Sequence, residues 1–594
     1  MTYHDNIIVG AGPAGLQMGY FMEQAGRDYL ILDGGSSAGS FFSRQPRHNM
    51  LLSINKRFNW FTEPDFNLRH DWNSLLTNDH SLLFKDYSEE LYPNSSDLVR
   101  YIRDFAEKYV PKIQYSTKIA KIRRENGDSR NFVLIDTDGK EYRCARLLMA
   151  TGAVKPNIPD IEGIELAEGY EDHDIDPKRF ENKRVVIIGR GNSAFETANH
   201  LAGHAALIFI MIGNRMIKHA WNTHFVGDLR SVNDTILDMF QLKGLHAVTG
   251  TTMTKLTRQE DGTLRVYYKE EFPHWQTPGE ATGWFPADHV IRCTGFKYIN
   301  AELFDSEICP EIDGAKKYPI LSPIWESSVP DLYFIGTTMA SRDRKTASGF
   351  IHGFRYNIRT LFHIMEERYE GVRLPSDQFP LRTEEDLRQL GEHLIKRIST
   401  TSALYQLFGT LCDVLVLSEG TAEVFYEMPV EYALTNPRFA DKNVIIFTLE
   451  FGFQNFPETM DANTFLRRND PERGGCVPFL HAVFRFYKKG EFVKGRNTRS
   501  SAVIRYDQAA DAFEGDLAHE KPKNVLLNFI NEFTKVTETV FPEEHFYNDE
   551  DRGGFMPWPA ERRYENHGLP LCSLRAGEPQ VSAIDLSVFQ KKCM

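Results

Sequence analysis

The residues best suited to chemistry fall in two glycine motifs and two clusters of cations. Gly10-x-Gly12-x-x-Gly15 follows the strand-like Ile7-Ile8-Val9 and opens a helix-like run from Leu16 to Ala25, and Asp33 closes the strand after it. In that order the first glycine permits a tight turn, the second lets backbone approach a pyrophosphate, the third lets helix pack on strand, and the acid binds a ribose hydroxyl pair. Gly189-x-Gly191-Asn192-Ser193-Ala194 repeats the pattern with alanine third, and its second strand ends in Gly213-Asn214-Arg215 rather than in an acid. A carboxylate there would repel a 2′-phosphate. Arg215, with Lys218, can pair with one, so this motif favours NADPH over NADH.

The chain of 594 residues carries 69 Lys and Arg against 82 Asp and Glu, a formal net charge of −13. Broad attraction to nucleic acid or to an anionic membrane is therefore not expected, and any basic patch must be local. Residues 44–72 hold Arg44, Arg47, Lys56, Arg57 and Arg69 against Glu63, Asp65 and Asp71; residues 342–359 hold Arg342, Arg344, Lys345, Arg355 and Arg359 against Asp343 alone. Such an excess suits a small substrate with more than one carboxylate, held by charge-assisted hydrogen bonds. The competing reading of any single cation is a solvated side chain or a partner for a cofactor phosphate. An amine acts as a nucleophile only when unprotonated, and neighbouring cations lower its pKa. Lys56 is the expected carboxylate anchor, and His70, between Arg69 and Asp71, the expected base or orienter.

The elements that position these residues read as α/β. Each glycine motif sits in a strand, turn, helix, strand unit, so two nucleotide-binding folds are implied. Lys118 to Leu148 reads as a hairpin around the Asp138-Gly139 turn signal, returning to the first sheet at Leu147-Leu148-Met149-Ala150-Thr151-Gly152. Lys155-Pro156-Asn157-Ile158-Pro159 reads as a connector, Val290 to Gly295 as a second return, and Leu332 to Gly336 as another buried strand, which together suggest one nucleotide fold inserted into another. Beyond Arg368, Ser376 to Leu404 reads as charge-rich helix, Asn443 to Leu449 and His481 to Phe486 as strands, Arg467 to Gly475 as a loop, and the tail past Pro557 as irregular. Seven dispersed cysteines without a Cys-x-x-Cys suit a reducing compartment. The N-terminus runs straight into Asn6-Ile7-Ile8-Val9, leaving no room for a signal segment, and the longest apolar run is far short of the ~18 residues of a membrane span. A cytoplasmic protein is expected.

Two such folds closed by Ala150-Thr151-Gly152 and Cys293-Thr294-Gly295 resemble the two-domain flavoproteins that include disulfide reductases and class B flavin monooxygenases. The resemblance implies a two-dinucleotide-binding-domain flavoprotein with a C-terminal α+β region: an FAD-binding domain in two parts, 1–155 and 291–368, an inserted NADPH-binding domain, 156–290, and an accessory domain, 369–594. It places Gly336 at the FAD. The reductase branch needs a redox cysteine pair that this sequence lacks.

The monooxygenase branch reduces FAD with NADPH and uses molecular oxygen on a nucleophilic substrate. Ala38-Gly39-Ser40-Phe41 resembles its Gly-Gly-x-Trp loop over the flavin, with Phe41 in place of tryptophan. Ser53-Ile54-Asn55-Lys56 resembles the segment whose asparagine hydrogen-bonds near the reacting flavin, which assigns Asn55 a catalytic role. Ala167-x-Gly169-x-x-x-His173 resembles the fingerprint before the second fold. Runs around Ser53 to Arg57, Phe66 to Leu76, Gly189 to Ala198 and Gly349 to Tyr356 resemble the FAD-dependent oxidoreductase-domain flavoproteins of the endoplasmic reticulum; a soluble flavoprotein with an added C-terminal domain also resembles the microbial aspartate N-hydroxylases that form nitrosuccinate. The expected function is N-hydroxylation of a small acidic amino acid, L-aspartate foremost, in nitro-compound or related secondary metabolism, with FAD, NADPH and oxygen and neither nucleic acid nor membrane as partner. The alternatives are oxygenation of a neutral ketone or thioether, and a flavoprotein with a protein-interaction role. The C-terminal third would cap the site or pair subunits as a homo-oligomer; its composition decides neither.

Overall fold

The computed structural model of the protein describes residues 2–58, 62–125, 131–213, 217, 228–242, 244–272, 279–344, 346–451, 480–497 and 517–542. Strand Thr2–Val9 lies inside a seven-stranded sheet, parallel to Tyr29–Leu32 on one side and to Glu141–Met149 on the other. Its Ile7 and Ile8 are fully buried, as expected of a strand covered on both faces. Glu141–Met149 is entered through an antiparallel hairpin from Phe132–Asp136 across the Asp138-Gly139 turn, and Ile119–Arg124 extends the meander. Leu332–Phe334 comes back from far along the chain to pair parallel with Glu141–Met149. Helix α1 (Pro13–Gln24) starts directly after the first glycine turn, with proline at its first position. Gly10 has φ +113° and a Cβ there would stand 2.6 Å from the Ala150 carbonyl; at Gly15 a Cβ would stand 1.9 Å from the Gly10 carbonyl. Both positions exclude a side chain, so the helix can seat against the strand ends.

The second glycine motif is built the same way. Arg184–Ile188 is the middle of a five-stranded parallel sheet, flanked by Leu207–Met211 and His289–Arg292, and helix α2 (Asn192–Leu201) follows the turn. A three-stranded antiparallel sheet, Thr252–Arg258, Leu264–Phe272 and Gly279–Ala287, hangs beside it. The chain leaves the first fold along Lys155–Pro156 and returns along Phe296–Lys297, and these two pieces pair with each other. The expected connector is thus half of a two-stranded ribbon.

Helix α3 (Ile351–Glu370) packs on α1 and leads into a six-stranded antiparallel sheet in the order Ser376–Pro380, Thr421–Pro429, Leu411–Ser418, Asn443–Phe451, Leu480–Lys488, Glu491–Asn497. Helix α4 (Glu384–Thr400) lies with Leu517–Thr534 against it. Ser376–Pro380, read from sequence as helix, is instead an edge strand; the helix starts only at Glu384, where Thr383 and Asp386 form a capping box. The loop expected at Arg467 to Gly475 and the tail past Pro557 lie outside the described residues. No helix among the described residues is long and apolar enough to cross a membrane.

Candidate functional site

Both helix starts suit a phosphate. Neither Gly12 nor Gly191 offers a side chain to cap the first turn, and a Cβ on either would meet nothing within 4 Å, so open space faces the N-terminal ends of α1 and α2. First-turn N–H groups left without a cap take an anion from outside the helix. Asp33 is 8% exposed; its two oxygens accept from Ala11 N (2.6 Å) and Gly35 N (2.7 Å), bracing the glycine turn against the next loop while each keeps a lone pair for a hydroxyl. Ser40 lies against that loop, Phe41 is half exposed with its ring edge-on to Phe42, and Gly336 sits on Ala14 at the start of α1. The residues present fit a dinucleotide at both places. In the second motif the Asn192 side chain ties down the segment that follows: its Nδ2 donates to Asp228 O (2.9 Å), and its Oδ1 accepts from Arg230 N and Asn233 Nδ2, both at 3.0 Å. Ser193 and Ala194 lie in the first turn of α2, Ala194 fully buried. Arg215 and Lys218 lie outside the described residues.

Asn55 is 8% exposed, with Nδ2 donating to Ser88 O (2.8 Å) and its backbone bridged to Asp71. That fixes the amide and leaves Oδ1 without a hydrogen-bond partner among the described residues. Next to it, the Lys56 ammonium lies 4.0 Å from the centre of the Trp72 ring. Trp72 also stacks on His352 (5.2 Å, 24°) and has the Arg230 guanidinium 6.0 Å from its centre. Burial, then the charge of Arg230, brings the Lys56 pKa down to about 8, so the ammonium stays mostly protonated at neutral pH. His70 is brought down to about 4 by burial, then by Lys56 and Arg69, and His352 is held neutral by burial and by Arg355, Lys56 and Arg230. An imidazole that neutral is a poor sink for an ammonium proton, so of the two roles expected for His70 the electrostatics favour orienter. Asp71 does not face His70: its carboxylate accepts from Ser74 Oγ and from the N–H groups of Asn73 and Ser74.

Most of the expected cationic excess is spent on architecture. Arg69 is fully buried, donating to Thr401 O (3.0 Å) and Ile398 O (3.1 Å); Arg355, also fully buried, donates to Ser74 O and Leu68 O, each at 2.6 Å. Arg359 pairs with Glu427, Arg342 with Glu431, Arg344 with Asp313 and Arg57 with Glu89. Asp343 is 2% exposed and accepts from Ser348 Oγ. Lys345 lies outside the described residues. What remains beside Asn55 is Lys56, joined by Arg230, which the sequence reading missed because it lies in a stretch without periodicity or motif; no ion pair of either side chain occurs among the described residues.

A second cluster closes the gap between the folds. Arg47 donates to His173 O (2.6 Å), Tyr170 OH accepts from Arg47 N and donates to Glu196, and the His48 ring lies tilted at 38° against that of His200 (4.4 Å) while meeting Thr197 Oγ1 at 3.3 Å. Burial, then His200, His173 and Arg47, lowers the His48 pKa to about 3. The unfolded chain protonates this histidine near pH 6.5, the folded one only near 3. Its contribution to stability is therefore full above pH 6.5 and is lost as pH falls toward 3. Thermal unfolding of His48→Gln is expected to show a shallower decline between pH 6.5 and 4 than the parent; equal slopes would show that this imidazole does not carry the acid sensitivity.

Residues 7–336 match the family model described as pyridine nucleotide-disulphide oxidoreductase. The chain is 34% identical over 516 residues to FAD-dependent oxidoreductase domain-containing protein 2 of Mus musculus, covering 82% of this chain and 76% of that one. The Danio rerio protein of the same name is 34% identical over 532 residues, with the same coverage. Among solved structures, an ornithine N-hydroxylase of Kutzneria sp. 744 overlaps 62% of this chain and 99% of its own at a TM-score of 0.47 and 15% identity.

Proposed function

The chain belongs to the pyridine nucleotide-disulphide oxidoreductase family, with FAD and a pyridine nucleotide as its cofactors, and from that premise we propose an NADPH- and oxygen-dependent monooxygenase that N-hydroxylates a small acidic amino acid, L-aspartate foremost. The first round converts amine, O2, NADPH and a proton into hydroxylamine, water and NADP+; further rounds lead toward nitrosuccinate. FAD, when bound, supplies the route by which NADPH electrons activate oxygen. The chain's own residues grip and orient the substrate. Lys56 takes a carboxylate, Asn55 offers a fixed amide oxygen beside it, and neutral His70 and His352 add no charge that would repel an ammonium. Binding beside Lys56 lowers the amine pKa of the substrate and raises its nucleophilic fraction.

The observation that carries this reading is Lys56: a half-buried ammonium held against a ring rather than a carboxylate, and so open to an acidic ligand. The disulfide-reducing branch draws no such support. The described cysteines are all free, and Cys144, Cys293 and Cys412 are buried, with burial raising each thiol pKa. Supplying FAD, NADPH, oxygen and a panel of amino acids and analysing products by mass spectrometry is expected to show aspartate gaining oxygen. NADPH consumption stimulated by a ketone or thioether and not by acidic amino acids would sink the proposal.

A further inference from the structure

Arg230 belongs to the inserted fold, yet its guanidinium reaches Trp72 of the first fold, the ring that also carries Lys56. We infer that Arg230 is the second carboxylate anchor of this site, so that a dicarboxylic amino acid is gripped across two folds and is told apart from its monoamide. The inference rests on the reading above and sharpens it to a residue.

Three features support it. First, the backbone that carries Arg230 is fixed: its main-chain N–H donates to Asn192 Oδ1 at 3.0 Å, and Ser231 next to it meets Tyr92 OH of the first fold at 2.8 Å, so the turn is held from both sides. Second, its charge is uncommitted. No carboxylate lies within ion-pair distance of it among the described residues, and Asp228, two residues earlier, acts on it only through space. Third, the spacing admits a four-carbon diacid. The distances of Lys56 and Arg230 to one ring centre hold the two charges no more than about 10 Å apart. Two carboxylate carbons about 4 Å apart, each met by a cation at about 3 to 4 Å, put those cations at most about 10 to 12 Å apart, so a pair within the bound can bridge the diacid. An amide in place of one carboxylate would leave Arg230 facing a neutral group.

The test compares L-aspartate with L-asparagine on the FAD-loaded enzyme, following NADPH oxidation coupled to product formation. Arg230→Gln is expected to reduce the aspartate-over-asparagine ratio of kcat/KM by about 30-fold, mostly through the KM for aspartate, with the KM for NADPH changed less than twofold. Should that variant be unstable, Arg230→Lys carries the same comparison, with a drop of about fivefold expected because a lysine lacks the two-pronged grip. An unchanged ratio in a parent that converts aspartate, or a raised KM for NADPH alone, overturns the inference and leaves the proposed reaction standing. A parent that turns over no acidic amino acid overturns the reaction itself.

Discussion

Replacing Lys56 by methionine is expected to lower kcat/KM for L-aspartate by ~10²- to 10³-fold, because truncating one partner of a desolvated charge pair costs about 2–5 kcal/mol. Flavin binding should be unaffected, since Lys56 touches neither glycine turn. The pH dependence follows from the same group. With a pKa of about 8, set by burial and Arg230, the anchor is charged below that value and lost above it. The KM for aspartate should therefore climb as pH rises past 8, while the acid limb reports the substrate amine. Lys56→Arg keeps its charge at any accessible pH, so the alkaline rise should vanish in that variant. A KM that stays flat from pH 7 to 10 in the parent would remove Lys56 from the substrate site.

A second large effect is expected at Glu427, where the C-terminal sheet meets α3. Its carboxylate accepts from Arg359 Nε (2.9 Å) and Nη2 (2.7 Å) and from Arg397 Nη2 (2.9 Å), and it is 8% exposed. Burial alone would raise its pKa; Arg359 and Arg397 outweigh that and bring it to about 2. The backbone is bent to make this possible: Glu427 has φ +59° beside a register shift between Cys412 and Val414, a bulge that aims the side chain at both guanidiniums. Glu427→Ala leaves two partly buried cations undercompensated around a buried site and should cost ~3 kcal/mol in urea unfolding. The contribution is full above pH 4.5 and disappears as pH falls toward 2. A loss below ~1 kcal/mol would mean that the sheet is held chiefly by its apolar core.

The nucleotide folds were legible because their signals are local. Gly10, Gly15 and Asp33 sit where turn geometry and close packing leave little choice, and the Asp138-Gly139 hairpin is announced by its own turn residues. The proposed substrate site was legible only in part. Counting charges along Arg44 to Trp72 could not separate Lys56, left facing a ring, from Arg69, whose guanidinium is taken by carbonyls of Thr401 and Ile398 more than 300 residues away. Arg230 was invisible for the opposite reason: nothing local marks a residue whose meaning comes from another fold. In the C-terminal region Leu411–Ser418 is buried on both faces from Leu411 through Val416, Asp413 included, so it shows no alternation, and Ser376–Pro380 pairs at an edge where its polar residues disguise it.

The grip on Arg69 has a further consequence. Gln406 Nε2 donates to Arg69 O at 2.8 Å, so both the side chain and the backbone of that residue are fastened by the region after α3. His70 and Trp72 ride on the same short stretch of backbone. A version of this enzyme trimmed at residue 370 would keep every glycine turn and still leave the stretch that carries His70 and Trp72 on a floor with the joists removed, the Arg69 guanidinium opened to water and its carbonyl partners gone.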